Sequence, residues 1–425
     1  MLPFKMLPPK MLPPKMLSGL AAGLFLLLPF VAAAGEQQDL GSVLEASQDL
    51  SKFYDLLKKY PEILLQLPSY TGVTIIAPTN EAFDRIPYTS LNAAWDPADK
   101  AKTVPLLQYH MIRGTLATDD DAALSPGPTR ARATLLVDRA YANVSAGQTV
   151  LAAKQPAGAV VFTSGLGSRC SVVESDLRFQ GGVVHAVDNL LVPPARLAQT
   201  ARAFGLTSFL GALYAAGLMP AVADRSNVTV FAPQDAAFAL VGGGLEKMKT
   251  AELARVMSYH IVRGQVLVSS ALANGSKLET LAAPSEAGTP RPVTIRQAGN
   301  NKYVDSAQII QPDILIANGV LHVVSSVLSP DAGTAAVPNP DSAIQPPVFP
   351  VSRARHPFTS ALPCTTNCPV ASSDVLEAAS TPSTTFFLAS SSKGVGAPGA
   401  ACTAHVAGAA AIGLLGVGAG LAPWL

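Results

Sequence analysis

The stretch TIIAPTNEAF (residues 74–83) returns as TVFAPQDAAF (residues 229–238), and a pattern repeated so closely makes the chain two copies of one unit. Each copy reads as a joint. Thr74, Ile75 and Ile76, like Thr229, Val230 and Phe231, form a short β-branched and apolar run suited to a buried strand. Pro78 and Pro233 end it, because proline offers no N–H to a ladder. Thr79-Asn80 and Gln234-Asp235 then suit a helix cap, with Phe83 and Phe238 packing one turn in.

Further blocks recur in the same order. YHMIRG (109–114) answers to YHIVRG (259–264), and DLRFQGGVVHAVDNLLVP (176–193) to DILIANGVLHVVSSVLSP (313–330), with Asp and His nine residues apart both times. The offset between copies falls from 155 residues at the first block to 137 at the last, so the first copy holds extra loop residues. Two domains are expected, over residues 37–194 and 199–330. With 30 basic and 29 acidic residues the chain has no electrostatic footprint for nucleic acid.

The flanks point to the cell surface. Lys5, Lys10 and Lys15 precede the apolar run 19–30 and the small residues Ala32, Ala33 and Ala34, the pattern of a secretory signal over residues 1–34; an uncleaved membrane anchor is the alternative, and tandem MLPPK units leave the true start open. Residues 404–425 are apolar with no basic residue after them, which matches a removable glycolipid-anchor signal with its attachment site among Ser390, Ser391, Ser392, Gly394 and Gly396. Between lies a stalk, residues 331–403; 27 of the 70 residues 331–400 are Ser, Thr or Pro, too polar to offset chain entropy by burial, so a disordered spacer is expected. Asn143, Asn227 and Asn274 head N-glycosylation sequons, and Asn227 abuts the second repeated strand. Cys364 and Cys368 suit a small disulfide loop better than a metal site, lacking a third and fourth ligand nearby. Cys170 aligns with Ala307 and reads as a small buried residue.

Taken together, TIIAPTNEAF, YHMIRG and GGVVHAVDNLLVP with their second-copy partners resemble the fasciclin domain, with both signature blocks and a Tyr-His pair in each copy. The resemblance implies an α+β fold in each copy, a β-sheet wedge or sandwich flanked by several helices, serving extracellular adhesion or matrix contact. It also makes Tyr109-His110 and Tyr259-His260 the adhesion-motif residues, since that pair is linked to receptor binding in animal relatives. Arg113 and Arg263 depart from the proline expected there, and Ser325 replaces the acidic residue that Asp188 supplies.

The plainer reading of the Tyr-His pairs is a packed Tyr and a hydrogen-bonded His at a helix-to-strand junction. His185 and His322 read as satisfied strand histidines, and Asp119-Asp120-Asp121 as a solvated helix start rather than a calcium loop. The histidine spacings make no compact zinc motif, and neither a Gly-x-Ser-x-Gly elbow nor a phosphate loop is present, so no metal, cofactor or catalytic residue is assigned. The expected function is non-enzymatic: two weak-contact domains on a stalk, held to the membrane by lipid and meeting a surface, matrix or wall protein or polysaccharide. A structural spacer, or a hydrolase or small-ligand carrier, is the alternative.

Overall fold

The computed structural model describes residues 38–363 apart from 71, 93–94, 121–123, 125, 285–290, 340 and 343. The expected signal, the tail, the anchor-site residues Ser390, Ser391, Ser392, Gly394 and Gly396, and Cys364 and Cys368 lie outside the described residues.

The first copy runs α1 (Leu40–Ala46), α2 (Ser51–Lys59), β1 (Val73–Pro78), α3 (Asn80–Asp84), α4 (Lys100–Tyr109), β2 (Met111–Arg113), β3 (Arg130–Ala133), β4 (Thr149–Lys154), β5 (Val160–Thr163), β6 (Arg169–Phe179) and β7 (Gly182–Val187). The second runs α5 (Leu197–Ala203), α6 (Thr207–Ala215), α7 (Met219–Ala223), β8 (Val228–Pro233), α8 (Asp235–Leu245), α9 (Thr250–Tyr259), β9 (Ile261–Val262), β10 (Lys277–Glu279), β11 (Pro292–Ala298), β12 (Asn301–Val304), β13 (Ala307–Ile316) and β14 (Gly319–Val324). The sheet orders are β2-β1-β7-β6-β5-β4-β3 and β9-β8-β14-β13-β12-β11-β10, so adding seven to every strand of the first gives the second. In both, the first strand pairs parallel with the last, Val73 beside Gly182 and Val228 beside Gly319, and the other neighbours are antiparallel.

The repeated strands are buried on both faces, which is why they read as continuous apolar runs. Side chains alternate across a strand, so Val230 and Ala232 join the core under α5–α9 while Phe231 packs on the far side with Val293, Ile295 and Val304. In β1, Val73, Ile75 and Ala77 face α1 and α2, and Ile76 faces Phe162 and Cys170.

Both copies run strand, proline and helix as expected, but only the first has the expected side-chain cap, since Gln234 at the start of α8 makes none, and the second residue after each proline has another use. Thr79 caps α3 by accepting from the Ala82 N–H. Asn80 reaches back to α2, accepting from Lys52 N–H at 2.9 Å. Asp235 does the same for α6, accepting from Ser208 N–H at 2.9 Å and from the Thr207 hydroxyl at 2.5 Å. Each copy thus ties the start of an earlier helix, otherwise short of acceptors, to the strand-to-helix turn.

The spacer expected from residue 331 differs in its first part. Asp331 pairs with Arg255 at 2.6 Å, and residues 352–358 form a strap over the second domain. Ser352 and α8 exchange backbone bonds, Ser352 N–H to Leu240 O and Gly243 N–H to Ser352 O, both 2.9 Å. Phe358 is buried edge-on against Phe238, and its N–H donates to Glu246 at 2.8 Å. The closeness depends on glycine: a Cβ on Gly211 would lie 2.2 Å from Phe358 O, and one on Gly242 2.5 Å from Pro357. Two phenylalanines, Phe349 and Phe358, supply the apolar contact that the Ser/Thr/Pro count hides.

Candidate functional site

Both Tyr-His pairs close a helix and open a strand, and both are buried; Tyr109, His110, Tyr259 and His260 are 0, 1, 6 and 0% exposed. His110 Nδ1–H donates to Leu106 O at 2.8 Å, while its Nε2 accepts from Leu191 N–H at 2.9 Å. His260 repeats this with Val256 O and Leu328 N–H, both at 2.9 Å. A ring that donates at one nitrogen and accepts at the other is neutral, and burial lowers each imidazole to about 4. The Tyr109 hydroxyl donates to Thr149 O at 2.8 Å. The Tyr259 hydroxyl meets Asp305 at 2.9 Å and Pro292 O at 3.1 Å, and burial first, then Asp305, raises its pKa. In the closed fold all four side chains are committed to contacts inside their own domain.

The Asp-His pairs nine residues apart form a second repeated device. Asp176 and Asp313 sit at a bulge of β6 and β13 with φ of 59° and 66°, and their N–H groups donate to His185 and His322 Nδ1 at 3.2 and 3.1 Å. The histidines' Nε2–H groups donate to Leu116 O and Leu267 O at 2.7 and 2.8 Å. Burial lowers both imidazoles from their ordinary value. Each Asp carboxylate holds a loop, by Thr118 N–H at 2.9 Å and by Ser269 N–H at 2.6 Å. Ser325, where the first copy has Asp188, also accepts from the backbone of the neighbouring strand. Ser171 N–H donates to Asp188 at 2.7 Å, and Gln308 N–H to Ser325 Oγ at 3.0 Å.

The remaining sequence candidates are dispersed. Asp119 lies in an exposed turn, 3.1 Å from Arg178, and Asp121 lies outside the described residues. Arg263 pairs on the surface with Glu279 at 2.6 Å, and Arg113 lies over the Tyr70 ring. Cys170 is buried, and its surroundings raise the thiol pKa by desolvation and then by Asp188. Among the described residues no group of three His, Cys, Asp or Glu is placed to hold a metal. Asn274 is exposed, whereas Asn143 and Asn227 are half-buried at the seam between the two copies. A cavity of 280 Å³ lies beside Trp95, Tyr141, Leu166 and Arg196, where the first copy meets the linker.

The family described as "Fasciclin domain" matches residues 48–193 and 204–330. The chain belongs to the fasciclin-domain family. The two matched fasciclin regions coincide with the two seven-stranded units. Among curated relatives, a fasciclin-like arabinogalactan protein of Arthroderma benhamiae is 28% identical over 81% of this chain and 79% of its own. Periostin of Homo sapiens is 24% identical over 62% of this chain and 29% of its own. Among solved structures, the FAS1 domain pair of the insect cell adhesion molecule Fasciclin I aligns with a TM-score of 0.32 at 16% identity, covering 66% of this chain and 97% of that one.

Proposed function

We propose that this chain is a non-enzymatic adhesion or wall-associated protein of the cell surface, binding a surface, matrix or wall protein or polysaccharide through the outer faces of its fasciclin domains. The observation that carries the reading is that His110, His185, His260 and His322, the four histidines of the two domains, are buried and engaged at both nitrogens in holding strands and loops together. Chemistry that would need a free base or a metal ligand finds these groups already occupied by the fold. The name of the Arthroderma benhamiae relative, a fasciclin-like arabinogalactan protein, supports the same direction.

In this reading residues 1–34 direct secretion, and the tail is exchanged for a glycolipid near Ser390–Ser392, Gly394 or Gly396. No helix among the described residues is long and apolar enough to cross a membrane. Many anchored copies turn weak single contacts into avidity of about 10²–10⁴. The test compares the full chain as a soluble monomer with the same chain arrayed on vesicles, binding to a cell-wall preparation. Equal binding by the two forms sinks the avidity argument. Release of native protein from cells by a phosphatidylinositol-specific phospholipase, with a new C-terminus near residues 390–396, tests the anchor; an intact Leu425 refutes it.

A further inference from the structure

The seam between the two domains is fastened by two sequons. From the first, Asn143 donates its backbone N–H to Ala317 O at 2.7 Å and its Nδ2 to Asp224 O at 2.9 Å. From the second, Asn227 donates its Nδ2 to Ser145 Oγ at 2.6 Å and accepts from Ser145 N–H at 2.9 Å through Oδ1. Ser145 is the hydroxyl residue of the first sequon, so the two sequons hydrogen-bond each other. Gln148 adds a further bond to Ala317 O at 3.2 Å, and Leu151, Val268 and Leu315 make a small apolar contact nearby.

N-glycosylation acts on the same atoms. Transfer from a lipid-linked oligosaccharide pyrophosphate forms a bond from sugar C1 to asparagine Nδ2, breaks the C1–O bond to the pyrophosphate, which leaves, and releases one amide proton. A sugar on either Nδ2 must then fit where the opposite domain now lies 2.6–2.9 Å away. The second sequon is also closed within its own domain. Its Thr229 is fully buried in β8, donating to Gln265 O at 2.8 Å and accepting from Leu267 N–H at 2.9 Å.

Asn274 has the opposite surroundings. It is exposed, its Oδ1 accepts from Gln297 N–H at 3.0 Å, and its Nδ2 is left without a hydrogen bond among the described residues. The intervening Gly275 faces open space.

We propose that N-glycosylation at Asn143 or Asn227 and closure of the domain pair exclude each other, so that the closed protein carries its domain N-glycan at Asn274 alone. The inference rests on the surface reading only in that the chain must meet the glycosylating enzymes. The experiment supplies that passage: the chain from residue 38 to its end is expressed behind a host signal in a eukaryotic host, collected from the medium or, where the tail anchors it, released from the cells by a phosphatidylinositol-specific phospholipase, separated by gel filtration into compact and expanded forms, and treated with peptide N-glycosidase in heavy-oxygen water.

The compact form is expected to take the label at Asn274 and not at Asn143 or Asn227, and any label at those two falls in the expanded form. Ser276→Ala, which leaves the Asn274 bond to Gln297 intact, is expected to remove the label at Asn274 and the mass of one glycan without changing the compact elution. Label at Asn143 or Asn227 in the compact form overturns the exclusion. An unlabelled Asn274 overturns the site assignment even where secretion itself has succeeded.

Discussion

Acid should loosen each fasciclin domain through the histidine that holds its helix-to-strand joint. His110 and His260 are neutral donors and acceptors, and burial keeps them from protonating until about pH 4, against an ordinary 6.5. Between those values the unfolded chain binds protons that the folded chain refuses, so stability is fully present above about pH 6.5 and falls as pH drops toward about 4. At about 1.4 kcal/mol per pH unit, the difference is roughly 3 kcal/mol for each histidine, a large part of a domain's usual 5–15 kcal/mol. His185 and His322 act in the same direction. Asp305, which burial raises above 3.8, acts in the opposite one. Urea unfolding of the full chain at several pH values between about 7.5 and 4.5 measures the slope. His260→Gln should lose about 2–4 kcal/mol at neutral pH, leaving Leu328 N–H and Val256 O without their partner, and should flatten the acid slope by about one proton. A urea midpoint unchanged from neutral pH to about 4.5 in the parent chain refutes the reasoning.

Two further changes test the packing. Gly242→Leu puts a side chain where Pro357 lies 2.5 Å from the Cβ position; it should displace the strap, cost about 1–3 kcal/mol and open residues 352–358 to protease, and unchanged resistance would count against the strap as part of the domain. Asp235→Ala removes the acceptor for Ser208 N–H and the Thr207 hydroxyl; it should cost about 1–2 kcal/mol and raise amide exchange in the first turn of α6, and protection equal to the parent's would deny the cap its role.

What was legible in the sequence was what repeats locally. β1 and β8 announced themselves because burial on both faces makes a continuous apolar run, and the proline at the end of each was a sound stop signal. The Tyr-His pairs also fell where a helix gives way to a strand. Less visible were contacts that join distant segments. Asn80 and Asp235 looked like caps for the helix that follows them, and their reach back to α2 and α6 has no local signal. The Asp-His spacing did carry one: two residues nine apart, repeated in both copies, fit positions facing each other across the hairpins of β6–β7 and β13–β14. The strap escaped because composition averages over a segment, whereas a few apolar side chains meeting glycines suffice to dock it. The pairing of Asn143 with Asn227 depends on how two loops meet, and neither loop encodes the other.

The parallel pairing of first strand with last has a kinetic consequence. Pro78 finds its register partner only at Val187, so one side of β1 waits through 109 residues of synthesis. At about 5–20 residues per second, that leaves the edge of a mostly apolar strand open for roughly 5–20 s. The fold shortens the hazard from the other side, because β2 reaches Ile75 through Met111 much sooner, and α1 and α2 are already made to cover one face. Each domain therefore passes through a stage with most of its helices, two strands and one bare edge, and the same stage recurs when β8 waits for β14. Such a chain should depend most on chaperones during these two intervals, and a truncation that ends before either closing strand should leave the domain it interrupts aggregation-prone rather than partly folded.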